Sequence, residues 1–199
     1  MIGQITPLVQ VAGRRVWLTA VAGHIAGATL SAAILGLVLG TFGLLCGLDH
    51  WKPPLAVAGG AIFLACAVQD ASGWWWRLPS LTRQTPAPLK ASFGPLWGAF
   101  AWGVDLGQGW TTRILFPGYY GLLLWIALSA DPFQGMLVLG AYGLGRALPV
   151  LLAGLLVQRH DLITLSAVYG TRLPLLQCLN ATALAVTAGY ILAGRLHLW

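Results

Sequence analysis

The chain has 199 residues, of which 58% are hydrophobic and only 8% charged, against roughly 25% charged in ordinary soluble domains. Eleven basic and five acidic side chains cannot keep a surface of this size wet, which excludes a soluble globular enzyme, a disordered chain, a coiled coil and a disulfide-rich secreted module. The net charge of +6 reads as the topology signal of cytoplasmic loops rather than a nucleic-acid footprint.

Unbroken apolar runs locate the elements, because about 20 apolar residues cross the hydrocarbon core. A porin-like barrel would instead alternate apolar with polar residues. Only Arg14 and Arg15 precede the first run, and nothing at its end resembles a cleavage site, so no removable signal peptide is expected. Val16 to Leu48 has no Asp, Glu, Lys or Arg and predicts a first span over 17–46. A short second span is predicted over 54–72, closed by Asp70. Residues 73–91, with Arg77, Pro79, Arg83, Pro86, Pro88 and Lys90, form the main loop. The stretch 92–130 is apolar again but contains Asp105, Arg113, Pro117 and several glycines, so a span broken near 107–117 is expected. Spans over 133–157, interrupted by Arg146 and Pro149, and over 174–194 complete the chain.

The positive-inside rule decides how the broken stretch crosses. A single crossing leaves Arg14, Arg15, Arg77, Arg83, Lys90, Arg159 and Arg172 on one side, with Lys52 and Arg195 on the other. A double crossing erases most of that asymmetry. The fold class expected is therefore an all-α membrane protein, a polytopic helical bundle of about five spans with one discontinuous. Its N-terminus would be cytoplasmic and its location the bacterial inner membrane. Trp17, Trp51, Trp74, Trp75, Trp76 and Trp199 fall at span ends, as an aromatic belt does. Spacings such as Gly23…Gly27, Gly36…Gly40 and Gly140…Gly145 read as helix-packing positions.

Discontinuity in lipid is tolerated where the freed backbone is buried in protein or lines a water-filled cavity. Gly107-Gln108-Gly109-Trp110-Thr111-Thr112-Arg113 puts two glycines, two hydroxyls and a charge in the middle of an apolar run. Asp105, Gly107, Gly109, Thr111, Thr112, Arg113 and Arg146 are the candidate substrate-pathway residues, since intramembrane charges are functional candidates and opposite ones tend to pair. A buried ion pair that only holds the fold is the competing reading. His24 reads as a hydrogen-bonded packing residue. No two histidines have ligand spacing, and Cys46, Cys66 and Cys178 form no CxxC, so no metal and no cofactor are expected. Gly23 to Ser31 can be laid over Ala141 to Pro149 as a weak inverted repeat, with chance similarity between glycine-rich helices as its competitor.

On the residues 107–113, Gly135-Met136 and Gly140-Ala141-Tyr142-Gly143-Leu144-Gly145-Arg146-Ala147-Leu148-Pro149, the chain resembles the DsbD/CcdA family of transmembrane thiol–disulfide electron carriers. That family has a G-x-G-W-T-P-C stretch in a broken helix, followed by a helix with an A-Y-x-L-G-x-x-x-P pattern. The likeness covers about 170 residues, most specifically 107–149. It implies the family's fold and a thiol-redox or cytochrome c biogenesis setting. The departures fall on the chemistry. Thr6-Pro7-Leu8 and Thr111-Thr112-Arg113 stand where each T-P-C would be, so Leu8 and Arg113 replace the relay cysteines, and thiol exchange needs sulfur. Most of the family's first helix is also missing. Cys66 and Cys178, at similar expected depth, are the only displaced pair to weigh, against the ordinary reading of buried cysteines as inert small hydrophobes.

The resemblance implies an integral membrane protein assisting cytochrome c biogenesis or thiol-redox electron transfer without its own cysteine pair. The partners would be the lipid bilayer and a thioredoxin-like or cytochrome assembly protein. A small-solute or ion transporter using a cavity at 105–113, and a structural subunit of a membrane complex, are the alternatives. Whether the chain is an enzyme is left open.

Overall fold

The computed structural model describes residues 2–72, 88–109, 118–157, 175, 178–189 and 192. Among these residues the chain is helical, with turns and no strand: α1 (Ile2–Leu45), a 3-10 turn (Leu48–Trp51), α2 (Lys52–Ser72), α3 (Pro88–Gln108), α4 (Gly118–Ser129) and α5 (Pro132–Val157). A further apolar helix, α6, covers Cys178–Gly189.

Two helices are long and apolar enough to cross a membrane: Gly13–Leu45, with 33 residues and mean hydropathy 2.0, and Pro132–Leu152, with 21 residues and mean hydropathy 1.5. Val57–Gln69, Gly118–Ser129 and Cys178–Gly189 are shorter apolar helices. The distribution of side-chain sizes on α1 fits lipid surroundings. Its buried face carries Ala20, Gly23, Gly27, Ala28 and Ala32, while Leu30, Ile34, Val38 and Phe42 are all more than half exposed. Water would favour the reverse arrangement; in lipid, close backbone approach holds helices together and large apolar groups face outward.

Punctuation follows local chemistry. Gly13, at φ +82, is a non-helical joint between Ile2–Ala12 and the remainder of α1, which therefore starts well before the expected 17. Gly94, at φ +73, makes the same joint in α3 and precedes Pro95, whose ring disfavours helix in the residue before it. α3 itself begins at Pro88, inside the stretch expected to be loop, with proline at a helix start where its missing N–H costs nothing. The expected discontinuity over 92–130 appears as separate helices α3 and α4; residues 110–117 lie outside those described. Ala130 (φ 52) ends α4, and Asp131 Oδ1 accepts from the amides of Phe133 at 2.9 Å and Gln134 at 3.0 Å, capping α5 ahead of Pro132.

The chain divides into two compact units. The first comprises residues 1–35, 81–113 and 136–170, the second 36–80, 114–135 and 171–199, so α1 and α5 each contribute to both. In the first, Gly23 lies by Leu96, Gly27 by Phe100 and Val104, and Gly107 by Ala28 and Ser31. Both indices rise together, so α3 runs parallel to α1. By contrast Gly140 lies by Ala33, Gly143 by Ala28, and Val150 and Leu151 pack on the Trp17–Val21–Trp102 cluster. α5 is antiparallel to α1. In the second unit Gly60 lies by Leu192, and Phe63 and Ala67 cluster with Leu184 and Ala188, so α2 and α6 are antiparallel. Gly121 of α4 seats on the Phe63 ring.

Candidate functional site

The first unit holds the buried polar residues His24 and Ser31. α1 and α3 approach until backbone meets backbone: a Cβ at Gly27 would overlap the Phe100 carbonyl, one at Gly103 the His24 carbonyl, and one at Gly107 the Ala28 carbonyl and Ser31 Oγ. Two four-residue glycine spacings, Gly23…Gly27 and Gly103…Gly107, thus face one another. Ser31 Oγ bridges the same seam, donating to Val104 O at 3.0 Å, with Ala28 O of its own helix at 3.3 Å.

At one level of this seam the His24 ring lies against Trp102, with centroids 4.7 Å apart and planes tilted by 36°. His24 and Trp17 are fully buried. Neither ring nitrogen of His24 has a hydrogen-bond partner, the Ala99 backbone coming near without completing one, and Trp17 Nε1 and Thr29 Oγ1 are likewise buried and unpartnered.

At the far end of α3 the helix stops at a glycine. Gly109 adopts φ +74 and its N–H reaches Leu106 O at 3.2 Å, the left-handed exit that frees the last carbonyls of a helix. Arg146 of α5 donates from Nη1 to the same oxygen at 3.1 Å. A cation at this end also meets the negative pole of the helix dipole. Arg146 thus reaches from one apolar helix to the terminus of another. Asp105, half-buried, immediately precedes Leu106, and Tyr142 sits one turn before Arg146 on α5.

Among the candidate residues, Asp105, Gly107, Gly109 and Arg146 therefore come together at the C-terminal end of α3. Gly107 fills a helix contact there and Gly109 serves as the cap. Thr111, Thr112 and Arg113 lie outside the described residues. Cys66 and Cys178 belong to the second unit. Neither forms a disulfide, nor does Cys46; Cys66 is half-buried beside the Phe63–Leu184 cluster and Cys178 is exposed. The antiparallel register of α2 and α6 offsets them by about eight residues, or about 12 Å along the helix axis, beyond the separation of about 4.4–6.8 Å between Cα atoms that a disulfide bridges.

His24 reads from the sequence as a packing residue, with nothing in it to name Trp102 as its neighbour. The signal that pairs them is the repeated glycine spacing: small residues flanking His24 and following Trp102 mark the two helix faces that meet.

The chain is similar to the methylamine utilization protein MauF of Paracoccus denitrificans, with 28% identity over 136 residues, covering 67% of this chain and 48% of MauF. It thus spans about half the length of that curated relative. No family model matches the chain, and no solved structure matches it.

Proposed function

We propose that the chain is a multi-pass inner-membrane protein of DsbD/CcdA-like ancestry that assists thiol-redox or cytochrome c assembly without a thiol relay of its own. The observation that carries this reading is the end of α3: a helix terminating within the apolar stretch 91–130, where Gly109 N–H and Arg146 both donate to the Leu106 carbonyl. A discontinuous helix of this kind is kept in lipid only where protein or a cavity satisfies the freed backbone. In the family resembled, the residues after that break carry the relay cysteine; here Arg113 stands there, and the described cysteines form no disulfide. Electrons would then have to pass through a partner's thiols, with this chain supplying a membrane platform.

Helix directions support about five crossings. With the stretch 88–130 crossing once, α5 must run opposite to α1; with two crossings it would run the same way. The contacts of Gly140 and Gly143 have it running opposite. The likeness to MauF adds a setting, methylamine utilization, in which an assembly partner of this chain would be sought.

The test is deletion in the native host, followed by measurement of c-type haem content and of growth on methylamine. Deletion should lower one of the two, and a chain with Cys46, Cys66 and Cys178 all replaced by serine should restore it. No change in either measurement overturns the assembly reading. Failure of the cysteine-free chain, where the native chain succeeds, overturns the claim that it needs no thiols of its own.

A further inference from the structure

The first unit collects positive charge at one end. Arg14 and Arg15 follow the Gly13 joint of α1 and are both exposed. α3 runs parallel to α1, with Leu96 beside Gly23, so its leading segment 88–93, which carries Lys90, lies toward the same end. α5 runs the other way. Its Val150 and Leu151 pack on the Trp17–Val21–Trp102 cluster, it ends at Val157, and the sequence continues Gln158-Arg159-His160-Asp161. In the sequence, residues 1–15 and 81–91 hold Arg14, Arg15, Arg83 and Lys90 and no acidic residue. Among the described residues the one carboxylate of the first unit is Asp105, and it stands elsewhere. Gly107, two residues on, lies by Ala28, thirteen residues beyond Arg15 on α1, or about 20 Å along the axis.

This end is also open. A Cβ at Gly13 or at Gly94 would meet nothing within 4 Å, whereas at Gly27 and Gly103 the same two helices touch backbone to backbone. Next to the charged end the outward side chains are large and apolar: Leu18 is 42% exposed on α1, and Leu96 and Trp97 are 44% and 63% exposed on α3. Positive charge beside an apolar wall matches a phospholipid of negative charge. Its phosphate pairs with guanidinium groups and its acyl chains cover the wall. An acidic protein segment or a nucleic acid would match the charge but make no use of the apolar side chains. A pure topology signal needs basic residues only somewhere in the flanking loops; here two of them are exposed at the joint of a helix fixed against its neighbour. We propose that the Arg14–Arg15 end of the first unit holds the phosphate of an anionic phospholipid, with Lys90 adding charge from α3. This rests on the membrane placement proposed above and not on the assembly role.

The experiment titrates the full chain, in a mild non-ionic detergent, with phosphatidylglycerol or phosphatidylcholine and counts retained lipid by native mass spectrometry. Phosphatidylglycerol should be retained in preference to phosphatidylcholine. Arg14→Gln combined with Arg15→Gln should weaken that retention roughly thirtyfold, the joint effect of two basic residues near an anionic surface. Lys52→Gln combined with Arg195→Gln removes the same charge elsewhere and should leave retention unchanged. Equal weakening by both pairs means that net charge alone draws the lipid, and it overturns the site. Inorganic phosphate in excess, at matched ionic strength, should not displace the lipid; displacement shows that the arginines take free phosphate and overturns the assignment to a lipid. Equal retention of the two lipids, by a chain that inserts into vesicles of either, overturns the proposal and leaves the membrane placement standing. A chain that inserts into vesicles of neither overturns the placement, and the proposal with it.

Discussion

Two glycines on α5, two positions apart, do different work. Gly143 seats against α1, where a Cβ would come within 2.6 Å of Ala28 O and 2.7 Å of Ala32 Cβ; Gly145 has nothing within 4 Å. Gly143→Ala should therefore destabilise the protein by about 1–3 kcal/mol, the usual cost of overpacking. Gly145→Ala should be neutral or stabilising by up to about 1 kcal/mol through helix propensity. Unfolding midpoints in mild detergent compare the two. Asp131 allows a second test at this scale. Its carboxylate caps α5 through two amide hydrogen bonds, so Asp131→Ala should cost about 1 kcal/mol and Asp131→Asn much less, read in the same assay.

Between elements, the decisive contacts are those of α3 with its neighbours. Arg146→Met removes the guanidinium from Leu106 O and leaves Gly109 as the described donor there. Loss of this charged hydrogen bond should cost about 1.5–3 kcal/mol, and the last turn of α3 should open more readily. Hydrogen exchange at Gln108 and Gly109 should accelerate in that variant while the middle of α1 stays protected. Uniform acceleration along α1 and α3 would mean that the arginine holds more than this one helix end. The Ser31 bridge to Val104 O is a smaller contribution: Ser31→Ala should cost about 0.6 kcal/mol, the average found for interhelical hydrogen bonds in membranes.

For the molecule as a whole, the questions are its path through the membrane and the state of its sulfur. Reporter fusions after residue 82 and at the C-terminus should report opposite compartments, cytoplasm and exterior; the same compartment for both would overturn a single crossing over 88–130. With Cys46 and Cys178 exposed and Cys66 half-buried, a membrane-permeant maleimide should label the first two faster than the third. The pattern should be the same in reduced and oxidised membranes. Labelling of Cys66 and Cys178 that appears only after reduction would identify them as a redox pair.

Much of the helical punctuation was legible because it is local. The Asp131-Pro132 start of α5 and the break after Gly107-Gln108-Gly109 need only the conformational preferences of the residues concerned. The joints at Gly13 and Gly94 were not read, since a glycine in an apolar run serves equally as a packing position and as a break. Among the candidate residues, Arg146 stands out in the sequence as a charge inside an apolar run, which leads one to look for a carboxylate beside it. One acceptor it reaches is the backbone carbonyl of Leu106, which no side-chain inventory displays.

The sequence by itself determined how apolar the chain is: with 8% charged residues in 199, hydropathy is a sum over side chains and needs no fold to evaluate. Which helices meet is a different kind of fact. The parallel pairing of α1 with α3, the antiparallel seating of α5, and the enclosure of His24 beside Trp102 all join residues some 75 to 130 positions apart. In helices as apolar as α1 and α5, hydrophobicity does not mark the inner face. The choice falls to the fit of glycine against backbone, and only the tertiary structure decides it.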